Sequence, residues 1–216
     1  MDRNERYKET LATWNRIAML YQDKFMDLDL YNDTYDAFCA RISKKAPEVL
    51  EIGCGPGNIT RYLLARRPDL RIEATDASPD MVALARQNNP SAQCRVLDAR
   101  AIGALHKKYD AIVCGFCIPY LSPGDAAKMI RDGASLLARE GLFYLSFVEG
   151  DPGDSGYQAG SSGDRTYFYY HDPELIRGAL AENHFTIAAS FRKDYLKSDG
   201  TTEVHTIILA QKQERP

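Results

Sequence analysis

The chain has 216 residues, 44% of them hydrophobic and 26% charged, which is room for one well-cored domain of roughly 100–200 residues and excludes disorder. With 27 Lys and Arg against 30 Asp and Glu the net charge is −3, lacking the basic excess of a phosphate-tracking protein, so no nucleic-acid partner is expected. The charged start, Met1-Asp2-Arg3, shows no export signal, and the most apolar run, 111–118, falls far short of the roughly 20 residues that span a bilayer, so no membrane association is expected.

Five cysteines at irregular spacing do not read as a disulfide framework. Reduced thiols and a cytoplasmic location are expected.

Residues 5–26 place Leu11, Trp14, Ile17, Ala18, Tyr21 and Phe25 at steps of three and four, the apolar stripe of a helix whose polar residues face water. A second helix over 31–43 ends ahead of Pro47, which disfavours helix at the residue before it. Val49-Leu50-Glu51-Ile52 then reads as a strand, stopped by Gly53-Cys54-Gly55-Pro56-Gly57 and followed by helical spacing of Ile59, Tyr62, Leu63 and Leu64. The alternation repeats as strand 71–75 and helix 79–87, strand 93–97, strand 111–114 and helix 124–138, and strand 142–148. Such alternation predicts βαβ units and an α/β, doubly wound, mostly parallel sheet. Residues 149–165 are rich in Gly, Ser and Asp and predict a mobile loop. Tyr167-Phe168-Tyr169-Tyr170-His171 reads as a strand with Tyr167, Tyr169 and His171 on one face. Helix 172–183 and strands 185–191 and 204–210 follow, the latter two joined by the turn Lys197-Ser198-Asp199-Gly200 as an antiparallel hairpin.

The glycine loop lets backbone approach a ligand closely while helix N–H groups point at it. A dinucleotide fingerprint would need a third glycine at position 58, where Asn58 stands, and would not ask for Glu51 two residues before Gly53. A carboxylate there suits a cationic ligand group better than a pyrophosphate. Asp76, about twenty residues beyond the glycines at the end of the second strand, is placed for a ribose diol.

Through Glu51-Ile52-Gly53-Cys54-Gly55-Pro56-Gly57, Asp76 in Ala74-Thr75-Asp76-Ala77-Ser78, and Leu97-Asp98-Ala99, the sequence resembles the class I S-adenosylmethionine-dependent methyltransferases of small-molecule type. The resemblance covers residues 48–148 most strongly. It implies a seven-stranded Rossmann-like sheet, an antiparallel C-terminal hairpin and an N-terminal helical cap. It further implies that the loop from Glu51 to Gly57, with Gly53 and Gly55, surrounds the methionine portion of the cofactor. Asp76, with Ala77 beside it, would bind the ribose. Asp98 and the Ala99 N–H would meet the adenine, and Met81 would cover one of its faces. Trp14 and Tyr21 resemble a lid over the cofactor, and Cys114 closes the fourth strand beside it. Capping of the next segment by Asp98 and core packing of Met81, Trp14 and Tyr21 are the competing accounts.

Cys114-Gly115-Phe116-Cys117 is a C-x-x-C, but it follows a strand and has no second ligand pair, so neither redox chemistry nor a metal is expected. Pro119 and Tyr120 match the end of the Asp/Asn-Pro-Pro-Tyr loop of amino-methylating members, while Cys117 stands where they carry the acid. His171 is the candidate general base, with Tyr120 beside the transferred methyl and aromatic packing as the alternative for the Tyr167–His171 segment.

The expected organisation is one domain over 1–216, with a helical cap at 1–45, a cofactor-binding half at 46–148, a lid and aromatic segment at 149–171, and a C-terminal helix and hairpin at 172–216. The expected function is methyl transfer to a small-molecule acceptor by a monomer or homodimer. The alternatives are a nicotinamide-dependent oxidoreductase and a non-catalytic S-adenosylmethionine-binding protein.

Overall fold

The computed structural model describes residues 2–160, 163–197 and 199–213. Three helices lead the chain, α1 (Arg3–Arg16), α2 (Ala18–Phe25) and α3 (Asn32–Arg41). Strands and helices then alternate as β1 (Glu48–Ile52), α4 (Asn58–Arg66), β2 (Arg71–Asp76), α5 (Pro79–Asn88), β3 (Gln93–Val96), β4 (Tyr109–Cys114), α6 (Pro123–Leu136) and β5 (Leu137–Val148). A short hairpin, β6 (Gly156–Ala159) and β7 (Arg165–Phe168), precedes α7 (Pro173–Glu182), β8 (Phe185–Leu196) and β9 (Thr202–Lys212).

The seven-stranded sheet runs β3-β2-β1-β4-β5-β9-β8. Its first five strands pair parallel, and β9 joins antiparallel to β5 and to β8. This is the doubly wound sheet with a C-terminal antiparallel hairpin that the pattern predicts. Strand order reverses between β1 and β4, which opens a crevice at the carboxyl ends of these strands, where ligands bind in open α/β sheets.

Val49, Leu50 and Ile52 of β1 are all fully buried, because a parallel sheet covered on both faces leaves no solvent side. Alternation sorts them between two cores: Leu50, Ile112 and Phe143 pack with α6 and α7, while Val49, Val113 and Tyr144 pack with α3 and α4. The edge strand β8, in contrast, alternates exposed and half-buried residues. Each crossover helix begins at a residue that punctuates the sequence. Ser78, Ser122 and Asp172 cap α5, α6 and α7, each followed by a proline in the first turn.

Three expectations are corrected. The helix expected over 5–26 breaks at Ile17, whose φ of −101° and ψ of 13° leave the helical well. The stretch 149–165 is not an aperiodic loop: it carries β6, paired antiparallel to β7, with Ser161 and Ser162 outside the described residues. The strand expected over Tyr167–His171 stops at Phe168, and His171 keeps a single bridge to Glu149. The β8–β9 hairpin forms with Gly200 at φ +83°, although Ser198 of the expected turn lies outside the described residues.

The reason the 149–165 segment is ordered lies on α1. Thr13 Oγ1 donates to the carbonyl of Arg165 at 2.8 Å, and the N–H of Tyr167 donates to Thr10 Oγ1 at 2.9 Å. Glu9 accepts from Tyr157 and Arg165. So Thr10 and Thr13, expected at the water face, are buried against the hairpin. The stripe of Leu11, Trp14 and Tyr21 stays half-exposed because it faces a cavity.

Candidate active site

A cavity of about 370 Å³ opens at the carboxyl ends of β1, β2 and β4, beneath α1. Its floor is the glycine loop. Gly53 and Gly55 adopt φ of +69° and +53°, a region that strains any residue with a side chain. A Cβ on Gly53 would also lie 2.6 Å from that of Cys117, so only glycine lets the two loops meet here.

Asp76 closes β2 and faces the same cavity. Its carboxylate accepts from the N–H of Gly55 at 2.9 Å and of Ser78 at 2.8 Å, using two of about four lone-pair sites and leaving the others for a ligand. Burial pushes its pKa up against these hydrogen bonds. Ala77 lines the cavity next to it.

At the far end Met81, Leu97, Ala99 and Leu121 form an apolar slot. Asp98 lies at its rim, where it caps the turn Ala99–Ala104 and grips the Arg100 guanidinium, with contacts of 3.0, 3.1 and 2.6 Å. Burial raises the Asp98 pKa, but Arg100 outweighs it and the net shift is downward. Both carboxylate oxygens are thus engaged by Arg100, whose backbone N–H also donates to Oδ1 at 2.8 Å. Arg100 in turn lies 4.0 Å over the ring of Tyr7, which the sequence reading missed. The Tyr7 hydroxyl donates to Asp125 at 2.7 Å and accepts from the Ser122 N–H at 2.8 Å, pinning α1 to the start of α6.

Trp14, Tyr21 and Tyr120 form the wall toward a second cavity of about 220 Å³. Trp14 meets the other two rings edge-on, at 5.3 and 5.1 Å. The two cavities share this wall together with Gly53, Gly55, Gly115 and Phe116. Phe116 holds a left-handed φ of +55°, fixed by its N–H donating to Ser146 Oγ at 2.8 Å. A strained aromatic backbone at a cavity junction is a functional-site signal that the sequence does not carry.

Four expected residues line neither cavity. Glu51 is fully buried and shares the α4-facing side of β1 with Val49, so its Oε2 accepts from Thr60 Oγ1 at 2.5 Å while Oε1 has no partner. Burial pushes its pKa up to about 8. Gly57 instead lets α4 pack on α5, where a Cβ would come within 2.2 Å of Asn89 Nδ2. Cys114, in register with Ile112, points into the core beneath α6. The Cys117 thiol, which does line the larger cavity, is held well above its ordinary pKa by its contact with Cys114 and by burial. No cluster of metal-ligating side chains occurs among the described residues.

His171 is the fourth. It is 1% exposed, and its Nε2 lies 3.1 Å from the Ile118 carbonyl. The chain leaves the sheet after Phe168 and turns the ring inward, so His171 packs rather than meets an acceptor. The second cavity holds a different histidine, His205, with Glu203 beside it on β9 and Tyr31 across from it. Neither was legible as a site, because both sit in a C-terminal strand without a motif.

Comparison with known proteins agrees with this geometry. Residues 49–141 match the family model described as a methyltransferase domain. Trans-aconitate 2-methyltransferase of Mycobacterium ulcerans is 53% identical over 53 residues, 24% of this chain and 20% of that protein. Malonyl-[acyl-carrier protein] O-methyltransferase of Acetivibrio thermocellus is 38% identical over 113 residues, 50% of this chain and 40% of that one. The chain thus spans less than half the length of these curated relatives. Among solved structures, 1,6-didemethyltoxoflavin-N1-methyltransferase of Burkholderia thailandensis, with bound 1,6-didemethyltoxoflavin and S-adenosylhomocysteine, superposes with a TM-score of 0.73 at 20% identity. The match covers 99% of this chain and 92% of that one.

Residues 49–141 thus match a methyltransferase domain, and the strand order and glycine loop accompany that match.

Proposed function

We propose that the protein transfers a methyl group from S-adenosylmethionine to a small-molecule acceptor by in-line displacement at the methyl carbon. The observation that carries this reading is the shared wall. A long cavity with a free-faced carboxylate, Asp76, meets a compact aromatic cavity at Gly53, Phe116 and Tyr120. A cofactor in the first would thus abut an acceptor in the second. When bound, S-adenosylmethionine would supply a methyl group activated by its sulfonium.

The chain's own residues bind, orient and exclude water. Asp76 accepts from the ribose hydroxyls, the backbone of Gly53 and Gly55 lies along the methionine portion, and Asp98, Ala99 and Met81 frame the adenine. The Trp14, Tyr21 and Tyr120 rings surround the sulfonium end, where cation–π attraction contributes on the order of 0.5–2 kcal/mol. Glu51 acts from beneath the loop rather than by lining it. Burial pushes the Tyr21 hydroxyl up to about 12 and the Tyr120 hydroxyl higher still, so both stay protonated and serve as walls.

Both cavities are closed by residues of one chain, which fits a monomer or a homodimer that does not share sites. No helix among the described residues is long and apolar enough to cross a membrane, and five free cysteines suit a reducing cytoplasm. The net charge of −3 supplies no basic excess for a nucleic-acid partner. Incubation with methyl-labelled S-adenosylmethionine and a small-molecule extract from cells lacking the protein tests the reading. Label should enter a small acceptor, with S-adenosylhomocysteine formed in equal amount; no product from any extract would refute it.

A further inference from the structure

The second cavity carries chemistry that the cofactor does not use. Its walls are largely rings, among them Tyr31, Tyr35, Phe116, Phe168 and Tyr195, and no Lys or Arg side chain lines it among the described residues. Among the described residues Glu203 is its one carboxylate. The His205 ring and the Lys197 ammonium hold that carboxyl below its ordinary pKa against the effect of burial, so it is charged. Lys197 itself reaches Glu203 at 3.1 Å from outside the cavity.

Glu203 and His205 are two apart on β9 and share a face. His205 is 7% exposed and stacks on Tyr195 with 4.9 Å between ring centres, while Phe116 tilts against it, also at 4.9 Å. Its Nδ1 lies 2.7 Å from the Tyr31 hydroxyl, which fixes the ring. Its Nε2 has no hydrogen-bond partner, and the nearest acidic oxygen, Oε2 of Glu203, is 3.6 Å away. A buried imidazole nitrogen without a hydrogen bond in a cavity wall, with only the Glu203 carboxylate near it at 3.6 Å, is placed to take a ligand's polar group.

We infer that this cavity takes a neutral planar aromatic acceptor bearing an O–H or N–H, and that His205 Nε2 receives its proton. The inference rests on the methyltransferase reading and adds the acceptor class and the base. Ring walls favour stacked aromatic faces, and a carboxylate acceptor is disfavoured because no Lys or Arg among the described residues lines the cavity to pair with it, while Glu203, paired by Lys197 only from outside, adds a negative charge to the wall. The step uses the tautomer in which Nδ1–H donates to Tyr31, which leaves the lone pair on Nε2. As the acceptor oxygen or nitrogen bonds the methyl carbon, the carbon–sulfur pair returns to sulfur and the acceptor's proton passes to Nε2. The resulting imidazolium is steadied by Glu203.

Three ring probes of one shape test this on the whole protein loaded with S-adenosylhomocysteine: a naphthol, the naphthoate bearing its carboxylate at the same ring position, and the methoxynaphthalene. Trans-aconitate, the acceptor named for one relative, is a fourth. The naphthol should bind at least about tenfold tighter than the naphthoate or trans-aconitate, and Glu203→Gln should narrow that gap, since like-charge repulsion sets it. It should also bind tighter than the methoxynaphthalene, a difference that vanishes in His205→Leu. With labelled S-adenosylmethionine the naphthol should be methylated, and His205→Gln should cut turnover about 10²-fold or more while naphthol and S-adenosylhomocysteine affinity hold within about threefold. Preference for either carboxylate, no binding or methylation of the naphthol, or wild-type turnover in His205→Gln would overturn the inference. Failure to bind S-adenosylhomocysteine would instead sink the methyltransferase reading itself.

Discussion

Asp76 Oδ2 accepts a 2.9 Å hydrogen bond from the backbone N–H of Gly55. The acid at the end of β2 therefore ties down the loop between β1 and α4, and its other oxygen fixes the start of α5 through Ser78. The same carboxylate ties down the glycine loop and lines the larger cavity, so in the proposed function cofactor affinity and loop geometry are coupled through one side chain.

Replacing that side chain separates the two roles. Asp76→Ala should weaken S-adenosylhomocysteine by about 1.5–3 kcal/mol through loss of charge-assisted hydrogen bonds. Asp76→Asn, which can still accept from Gly55, should retain more of the affinity. Calorimetric titration checks both; affinity within twofold of wild type in Asp76→Ala would remove this residue from the site.

Gly53→Ala should cost about 1–3 kcal/mol of stability, because a left-handed φ and a 2.6 Å approach to Cys117 Cβ both oppose a side chain. Gly124→Ala is the matched control. Nothing lies within 4 Å of its added methyl group, and it sits in the first turn of α6. Urea unfolding should show a clear loss for the first and little change or a slight gain for the second.

The part of this fold that was legible is the part built from local pattern. The β1 run, the glycines and the Ser-Pro and Asp-Pro starts of α5, α6 and α7 each state their own structure, and the acid after β2 sits at a position the topology dictates. What was missed depends on partners remote in sequence. Thr10 and Thr13 look like surface residues until the hairpin 152 or more residues later supplies their hydrogen-bond partners. Glu51 and Cys114 alternate correctly along their strands, but which face of each strand meets the crevice is decided by the stacking of α4 and α6. His171 stands out in the sequence because it follows an aromatic run, whereas His205 gains its surroundings only when β9 inserts between β5 and β8.

Glu51 gives a pH signature. Its carboxyl is pushed up to about 8 from an ordinary 4.5, so the folded state favours the protonated form. That contribution is fully present below the unfolded pKa and lost as pH rises through the folded one. Between about pH 5 and pH 8.5 the wild type should lose stability on the order of a few kcal/mol relative to Glu51→Gln, whose amide does not titrate. Parallel slopes for the two proteins in denaturant titrations across this range would contradict it.

The clasp between α1 and the β6–β7 hairpin should govern how well the cavity is covered. In Thr10→Val and Thr13→Val together, the Tyr167 N–H and the Arg165 carbonyl lose their partners, costing about 1–3 kcal/mol. Limited proteolysis should then cut faster within residues 149–165, and cofactor affinity should fall, since Leu11 and Trp14 ride on the same helix. Unchanged cleavage in the double variant would show that the hairpin is held by other contacts.

The central claim is that this crevice is built for an adenosyl sulfonium rather than a nicotinamide dinucleotide. Titration calorimetry of the wild-type protein with S-adenosylmethionine, S-adenosylhomocysteine, NAD and NADP tests it most directly. The first two should bind with a single site per chain and lose affinity in Asp76→Ala, while the nicotinamide cofactors give no heat of binding. Tight binding of NAD or NADP, with no response to either adenosyl compound, would contradict the account.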